Sequence, residues 1–167
     1  MRNKYYDYSG YGVYYITICT KDKKKYFGKL VPVYDEKTQL LTGAELKKTA
    51  AAEMVESSWN KISEIYPFVE NDCFTIMPDH IHGILVYKDK EYYGYNNVRS
   101  LSEIISAFKS VTTRQFHSIY NFKEPLWQRN FYDTIIINEQ QYLSTVDYID
   151  NNRINRFLNN SSLKENN

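Results

Sequence analysis

Two of the three histidines in the chain, His80 and His82, are separated by one apolar residue in the segment MPDHIHG (residues 77–83). If this segment is a strand, positions i and i+2 project from the same face. Both imidazoles can then bind one divalent cation while Ile81 enters the opposite side. Two imidazoles are not a complete metal site, and such a pair also occurs as ordinary polar residues on a solvated strand face. Spacing alone leaves both interpretations open.

Tyr148 is the best candidate for a nucleophile among the 17 tyrosines of the chain. It falls on a predicted C-terminal helix, where Asn152 lies one turn later on the same side and offers a neutral oxygen ligand or a hydrogen-bonding group. Ser144 and Asn155 extend this polar stripe. The alternative is a structural role, in which the tyrosine packs its apolar ring against a neighbouring residue.

Basic residues recur locally, although the formal net charge of +1 argues neither for nor against a nucleic-acid partner. The candidate DNA-binding residues are Lys23, Lys24, Lys109, Arg114, Trp127, Gln128 and Arg129. Such cations can follow a phosphate backbone, but they more commonly belong to a solvated helix face. Trp127 could stack on a base, or it could anchor its loop to the core. His117 is expected at the surface or in contact with DNA.

Length and composition predict one folded domain over residues 1–167. The hydrophobic fraction of 43% and the aromatic fraction of 16% are typical of folded chains, and 167 residues are too few for two ordinary domains. Cys19 and Cys73 lie in apolar runs without metal-ligand spacing, which indicates reduced core thiols in an intracellular protein. No segment has the length of a membrane span or the character of a signal peptide, so we expect a cytoplasmic protein without membrane contact.

The elements that must position these residues follow from the periodicity of apolar positions. Residues 13–19 are rich in β-branched and aromatic side chains and predict a strand. Residues 24–41 predict a peripheral hairpin. Thr42, with Glu45 three residues later, has the pattern of a capping box, so a helix is expected from Thr42 to about Tyr66.

The remaining segments complete a two-layer fold. In chain order they predict strands at 68–77 and 81–87, a helix after Ser100 or Ser102, a strand at 131–137, a helix after Asn138 and a frayed tail from Asn159. Val111 is among the apolar residues of the second helix that should face the sheet. The order β-α-β-β-α-β predicts an α+β, ferredoxin-like fold, with an antiparallel sheet, two main helices on one face and an added C-terminal helix carrying Tyr148.

Four motif regions together resemble the HUH single-tyrosine transposases, and most of all the REP-associated tyrosine transposases. The motifs occupy residues 6–9 with 14–20, residues 77–83, residues 127–133 and residues 147–152, in the order found in that family. The resemblance extends from about Tyr6 to Phe157. Because four motifs in the correct order are involved, it is far more specific than any one of them.

The resemblance implies an activity and a set of site residues. His80 and His82 would hold Mg²⁺ or Mn²⁺, and Asn152 would help to bind the metal. Tyr148 would attack a phosphate of single-stranded, hairpin-containing DNA and form a 5′-phosphotyrosine intermediate. Relatives act as monomers or homodimers, and the closer resemblance favours a monomer.

Three positions depart from the family pattern: Thr134 stands where a histidine is common, Ile137 where an arginine is common, and Arg153 where a proline is common. These changes bear on DNA contacts and hairpin preference. Two alternative functions stay open. One is a catalytically inactive protein that binds single-stranded nucleic acid by stacking, which the histidine pair disfavours. The other is a replication or relaxase-type initiator nuclease, which the short chain disfavours.

Overall fold

The computed structural model describes residues 11–89, 94–121 and 123–165, with side chains as far as Ser161. In order, the elements are β1 (Gly12–Cys19), β2 (Gly28–Tyr34), β3 (Leu41–Lys48), α1 (Ala50–Asn60), α2 (Ile62–Ile65), β4 (Val69–Met77), β5 (His80–Tyr87), α3 (Leu101–Tyr120), β6 (Tyr132–Ile136) and α4 (Glu139–Glu165). The motif at residues 6–9 lies outside the described residues.

Four strands form an antiparallel sheet in the order β4-β5-β1-β6. β1 lies in the middle because it pairs with β5 on one side and with β6 on the other. This arrangement, with α1 between β1 and β4 in sequence and α3 between β5 and β6, confirms the predicted ferredoxin-like palm. β4 and β5 are joined tightly at residues 78–79, with an irregularity in β4 between Asn71 and Phe74.

The sheet is covered on both faces because its side chains alternate along each strand. On one face, Tyr14, Ile16 and Ile18 of β1 are fully buried beneath α1 and α3. On the other face, α4 packs Ile149 against Ile84 and Ile136. The two main helices therefore share one face as predicted, and the C-terminal helix occupies the opposite face.

A glycine allows α1 to lie close against the sheet. A Cβ atom on Gly83 would stand 2.3 Å from Cζ2 of Trp59, whose ring is fully buried. Trp59 also stacks on Phe74, with 4.9 Å between ring centroids. Gly83 therefore lies on the core face of β5, whereas His80 and His82 project from the other face.

The helix predicted from Thr42 is wrong over its first seven residues, because Leu41–Lys48 forms β3 and pairs with β2. Thr42 donates its hydroxyl hydrogen to the carbonyl of Val33 across the hairpin instead of capping a helix. The true cap is Thr49, whose hydroxyl accepts from Ala52 N at 3.3 Å. Cross-strand pairing outweighed the local capping pattern. The hairpin, which was predicted to end at residue 41, extends to Lys48 in the structure.

The other helices begin where the sequence indicated. Ser100 caps α3 in a capping box with Glu103, and Asn138 accepts from Gln141 N at 2.8 Å ahead of α4. Two details differ from the prediction. Val111 of α3 is 38% exposed whereas Thr112 is buried, and α4 continues to Glu165 instead of fraying at residue 159. Among the described residues, no helix has both the length and the apolar character needed to cross a bilayer.

Candidate active site

His80 and His82 project from β5 on the face covered by α4, and both are buried, at 7% and 4% exposure. Their Nε2 atoms lie 3.0 Å apart. Ile81 between them enters the opposite core, as the strand period requires. The two Nε2 atoms can therefore serve as ligands of one small cation.

Asp79 and Arg156 hold the His80 ring in position. His80 Nδ1 lies 2.6 Å from Asp79 Oδ1 and donates to it, because a carboxylate can only accept. Arg156, on α4, donates to Asp79 Oδ2 at 2.7 Å. Burial would raise the pKa of Asp79, but the hydrogen bonds from His80 and Arg156 and their charges lower it overall. The carboxylate therefore directs Nε2 of His80 outward, as is common for metal-binding histidines.

Hydroxyl groups of β1 hold the His82 ring. Its Nδ1 lies 2.8 Å from the Tyr15 hydroxyl and 2.9 Å from Thr17 Oγ1. Burial, followed by the charges of His80, Lys23 and Arg156, lowers the pKa of His82 to about 3. The imidazole is therefore neutral at physiological pH, which is the form that binds metals. Burial also raises the pKa of Tyr15 to about 12, so its hydroxyl stays protonated.

Tyr148 lies beside this pair on α4 of the same chain. Its ring meets that of His82 edge-on, with 5.5 Å between centroids, and that of Tyr15 at 6.4 Å. The side chain is 51% exposed, so its hydroxyl can be reached from solvent. The neighbouring Ile149 is buried and anchors this turn of the helix to the sheet.

The polar stripe predicted on α4 is divided in the structure. Asn152 is buried at 8% exposure, whereas Ser144 and Asn155 are exposed. Asn152 therefore lies on the side of the helix that faces the sheet, one turn after Tyr148. Arg153 and Arg156 on the next turn reach the carbonyl of Ile76 and the carboxylate of Asp79.

The metal ligands that the chain offers determine which ion suits this site. Within the described ranges, no group of three or more His, Cys, Asp or Glu side chains is placed to hold a metal. The two imidazoles would therefore need oxygen ligands from Asn152, water or substrate. Mg²⁺ commonly keeps several waters and binds substrate phosphates, so the residues fit an ion that is completed by the substrate.

Four of the five cationic side chains proposed to bind DNA have different surroundings. Lys23 lies near the histidines, with Nζ 2.9 Å from Sγ of Cys19, which pairs with His80 in the sheet. Lys24 forms an ion pair with Glu124 at 2.9 Å. Lys109 donates to two loop carbonyls at 2.7 and 2.8 Å, and burial lowers its pKa. Arg114 is exposed on α3, on the far side of the sheet. Of the four, Lys23 is therefore best placed to meet a phosphate at the site.

The segment at residues 127–129 is fixed mainly by the core. Trp127 is 4% exposed and packs near Phe27 and Phe108. Its Nε1 donates to Thr112 Oγ1 at 2.8 Å. This burial supports the anchoring interpretation of Trp127 and leaves no free ring face for a base. Gln128 is half-buried, with its backbone bonded to Cys19, whereas Arg129 is exposed.

His117 and the three departures from the family pattern are also placed. His117 Nε2 bonds the carbonyl of Glu124 at 2.8 Å on the outer side of α3. Thr134 pairs with Tyr15 and thus lies on the face of the histidines. Ile137 is 79% exposed just after β6. Arg153 donates to the carbonyl of Ile76 and so fastens α4 to β4.

Four supporting residues of the site were not predicted from the sequence: Asp79, Arg156, Tyr15 and Thr17. Asp79 is adjacent to His80, and Tyr15 and Thr17 lie two residues apart on β1. Their positions in the sequence could therefore have indicated that they face the site. Arg156 was not predictable, because its partner lies 77 residues away in sequence.

Known proteins include a relative in sequence and solved structures of similar fold. The chain is 30% identical over 172 residues to an uncharacterized protein of Haemophilus influenzae, with 92% of this chain and 87% of that protein covered. A REP-associated tyrosine transposase bound to a REP hairpin superposes with a TM-score of 0.59 at 20% identity, covering 93% of this chain and 74% of that one. A candidate transposase from Deinococcus radiodurans gives a TM-score of 0.50 at 17% identity, covering 90% of this chain and 96% of that one. No model of a known protein family matches the chain.

Proposed function

We propose that this chain, which belongs to the same family as the Haemophilus influenzae protein and has the fold of the REP-associated tyrosine transposase, is itself a tyrosine transposase. It would cleave and rejoin single-stranded DNA. The observation that carries the proposal is the meeting of His80, His82 and Tyr148 on one face of the sheet. A protein that only binds nucleic acid has no need for paired imidazoles beside an accessible phenol.

His80 and His82 would hold Mg²⁺ or Mn²⁺ through their Nε2 atoms, with Asn152 as an oxygen donor. When bound, the ion withdraws charge from a nonbridging phosphate oxygen and orients the phosphodiester. Asp79 keeps the His80 ring in its donating orientation, and Thr17 and Tyr15 do the same for His82. The protein thus supplies two pre-oriented imidazole ligands.

Tyr148 would act as the nucleophile. Its hydroxyl oxygen forms a bond to phosphorus, the bond from phosphorus to the 3′ oxygen breaks, and the phenolic proton is replaced overall by a proton on that oxygen. The products are a 5′-phosphotyrosine and a free 3′-hydroxyl. Because the ester retains the energy of the broken bond, another 3′-hydroxyl can attack it and rejoin DNA.

The substrate would be single-stranded DNA that contains a hairpin, since one structural neighbour is a REP-associated tyrosine transposase bound to a REP hairpin. The chain would act as a monomer, because Tyr148 meets the histidines without a second chain. We expect it to work in the cytoplasm.

The test is incubation of the protein with single-stranded hairpin oligonucleotides and Mn²⁺, followed by a denaturing gel. The wild-type chain should give a slower band that carries both protein and labelled DNA. Chelation with EDTA and the variant Tyr148→Phe should each remove the band. A band that persists in Tyr148→Phe, or no band with any hairpin tested, contradicts the proposal.

A further inference from the structure

Tyr132 is an aromatic side chain that the folded chain leaves uncovered. It is 68% exposed, and its ring packs on no other aromatic ring in the part of the chain that the structure describes. Single exposed aromatics are not unusual. Tyr132 is significant because of its location, since it begins β6, one of the two edge strands of the four-stranded sheet.

The register of the sheet places Tyr132 on the side of the histidines. Tyr132 pairs with Thr17, and Thr17 pairs with His82 on its other side. Directly opposed residues in an antiparallel pair point to the same face, and Thr17 bonds His82 Nδ1 on that face. Two strand spacings separate Tyr132 from His82, which is about 10 Å between backbones. The ring is thus within reach of a nucleotide next to a phosphate held at the histidines.

The space beside Tyr132 is a polar cleft of about 520 Å³. The cleft lies at the sheet edge between residues 129–133 and Ser102, Ser106 and Lys109 of α3, so it opens on the side opposite the histidines, whereas the register directs the Tyr132 ring to the histidine side. The Arg129 guanidinium forms no ion pair or side-chain hydrogen bond with residues 11–89, 94–121 or 123–165. An exposed ring with a cation beside it is the combination that binds an unpaired nucleotide, since the ring stacks on the base and the cation meets the phosphate.

We propose that Tyr132, at the sheet edge, binds an unpaired base flanking the cleavage position, with its ring as the stacking surface and Arg129, three residues earlier at the same edge, as a phosphate contact. The inference rests on the proposed function for the position of the strand at the histidines. It assigns to Tyr132 the stacking role that the buried Trp127 is unable to fill.

Binding without cleavage separates this proposal from the chemistry. Fluorescently labelled oligo(dT) and oligo(dA) are titrated with protein in EDTA, and affinity is read from anisotropy at low salt. Tyr132→Ala should weaken binding about 5-fold to 100-fold, the range expected for one stacked base, whereas Tyr132→Phe should stay near wild type because the ring is retained. The matched control is Tyr34→Ala, which removes an exposed tyrosine (53%) from the peripheral hairpin and should leave the affinity unchanged.

The inference is overturned if Tyr132→Ala binds like wild type, if Tyr132→Phe loses as much affinity as Tyr132→Ala, if Tyr34→Ala loses as much as either, or if wild type binds neither oligonucleotide. These readouts are independent of catalysis. Loss of affinity in Tyr132→Ala, together with no covalent adduct in wild type, would support the stacking surface and reject the transposase chemistry. Normal affinity in Tyr132→Ala, together with a wild-type adduct, would do the reverse.

Discussion

The ring of Tyr148 meets the ring of His82 edge-on, with 5.5 Å between their centroids, although the two residues belong to elements on different layers of the fold. His82 is on β5 in the sheet, and Tyr148 is on α4, which covers that face. The contact is made within one chain. A nucleophile and two potential metal ligands are thus brought together by the docking of one helix on one sheet.

The histidine pair should account for metal binding. His80→Ala and His82→Ala should each reduce Mn²⁺ binding below detection in calorimetry, because a single imidazole leaves too few protein ligands. His117→Ala is the control, since His117 bonds a loop carbonyl on the other side of the sheet. If both site variants keep their Mn²⁺ affinity, with the fold intact by circular dichroism, the metal binds elsewhere on the protein.

Asp79 should act through His80. In Asp79→Asn the side chain still occupies the space, but the carboxylate that fixes the His80 tautomer is lost. The expected result is a Mn²⁺ affinity about 10-fold to 100-fold lower, with adduct formation partly restored at higher Mn²⁺ concentration. Asp22→Asn, at an exposed carboxylate paired with Lys21, should match wild type. An Asp79→Asn protein with unchanged Mn²⁺ affinity would show that the contact is only structural.

The contact between Tyr148 and His82 within one chain predicts that each chain uses its own tyrosine. An equimolar mixture of His80→Ala and Tyr148→Phe should therefore form no covalent adduct, because neither chain carries a complete site. The wild-type chain at the same concentration is the positive control. Recovery of the adduct on the His80→Ala chain would reveal exchange of α4 between two chains.

Gly83 should be intolerant of a side chain because Trp59 lies directly over it. Gly83→Ala introduces a methyl group into a packed core and should lower the free energy of unfolding by about 1–3 kcal/mol, as measured by urea denaturation. Gly43→Ala on the peripheral hairpin is the matched control, because the nearest atom to the added methyl carbon would be 3.9 Å away. Equal stability of Gly83→Ala and wild type would show that Trp59 has room to move.

The palm was predictable from sequence because its signals are local. The alternation of buried and half-buried residues in β1, and the single residue between His80 and His82, both follow from the two-residue period of a strand. Ser100 and Asn138 were visible as helix caps because a cap acts within three residues of itself.

The errors occur where distant residues decide the structure. Thr42 and Glu45 have the spacing of a capping box, but their segment pairs with β2, and a local pattern carries no information on that partner. The ion pair between Arg156 and Asp79 likewise exists only once α4 is docked on the sheet. Trp127 had two interpretations, and its burial against Phe27 and Phe108 was decided by packing.

The most direct test of the account is to locate the residue that becomes attached to DNA. The covalent adduct formed with Mn²⁺ is digested with trypsin and nuclease, and the modified peptide is sequenced by fragment ions in mass spectrometry. The peptide that ends at Arg153 also contains Tyr132 and Tyr142, so it provides its own internal controls. The nucleotide should be found on Tyr148 alone, and a nucleotide on Tyr132, Tyr142 or any other residue would contradict the proposed role of Tyr148.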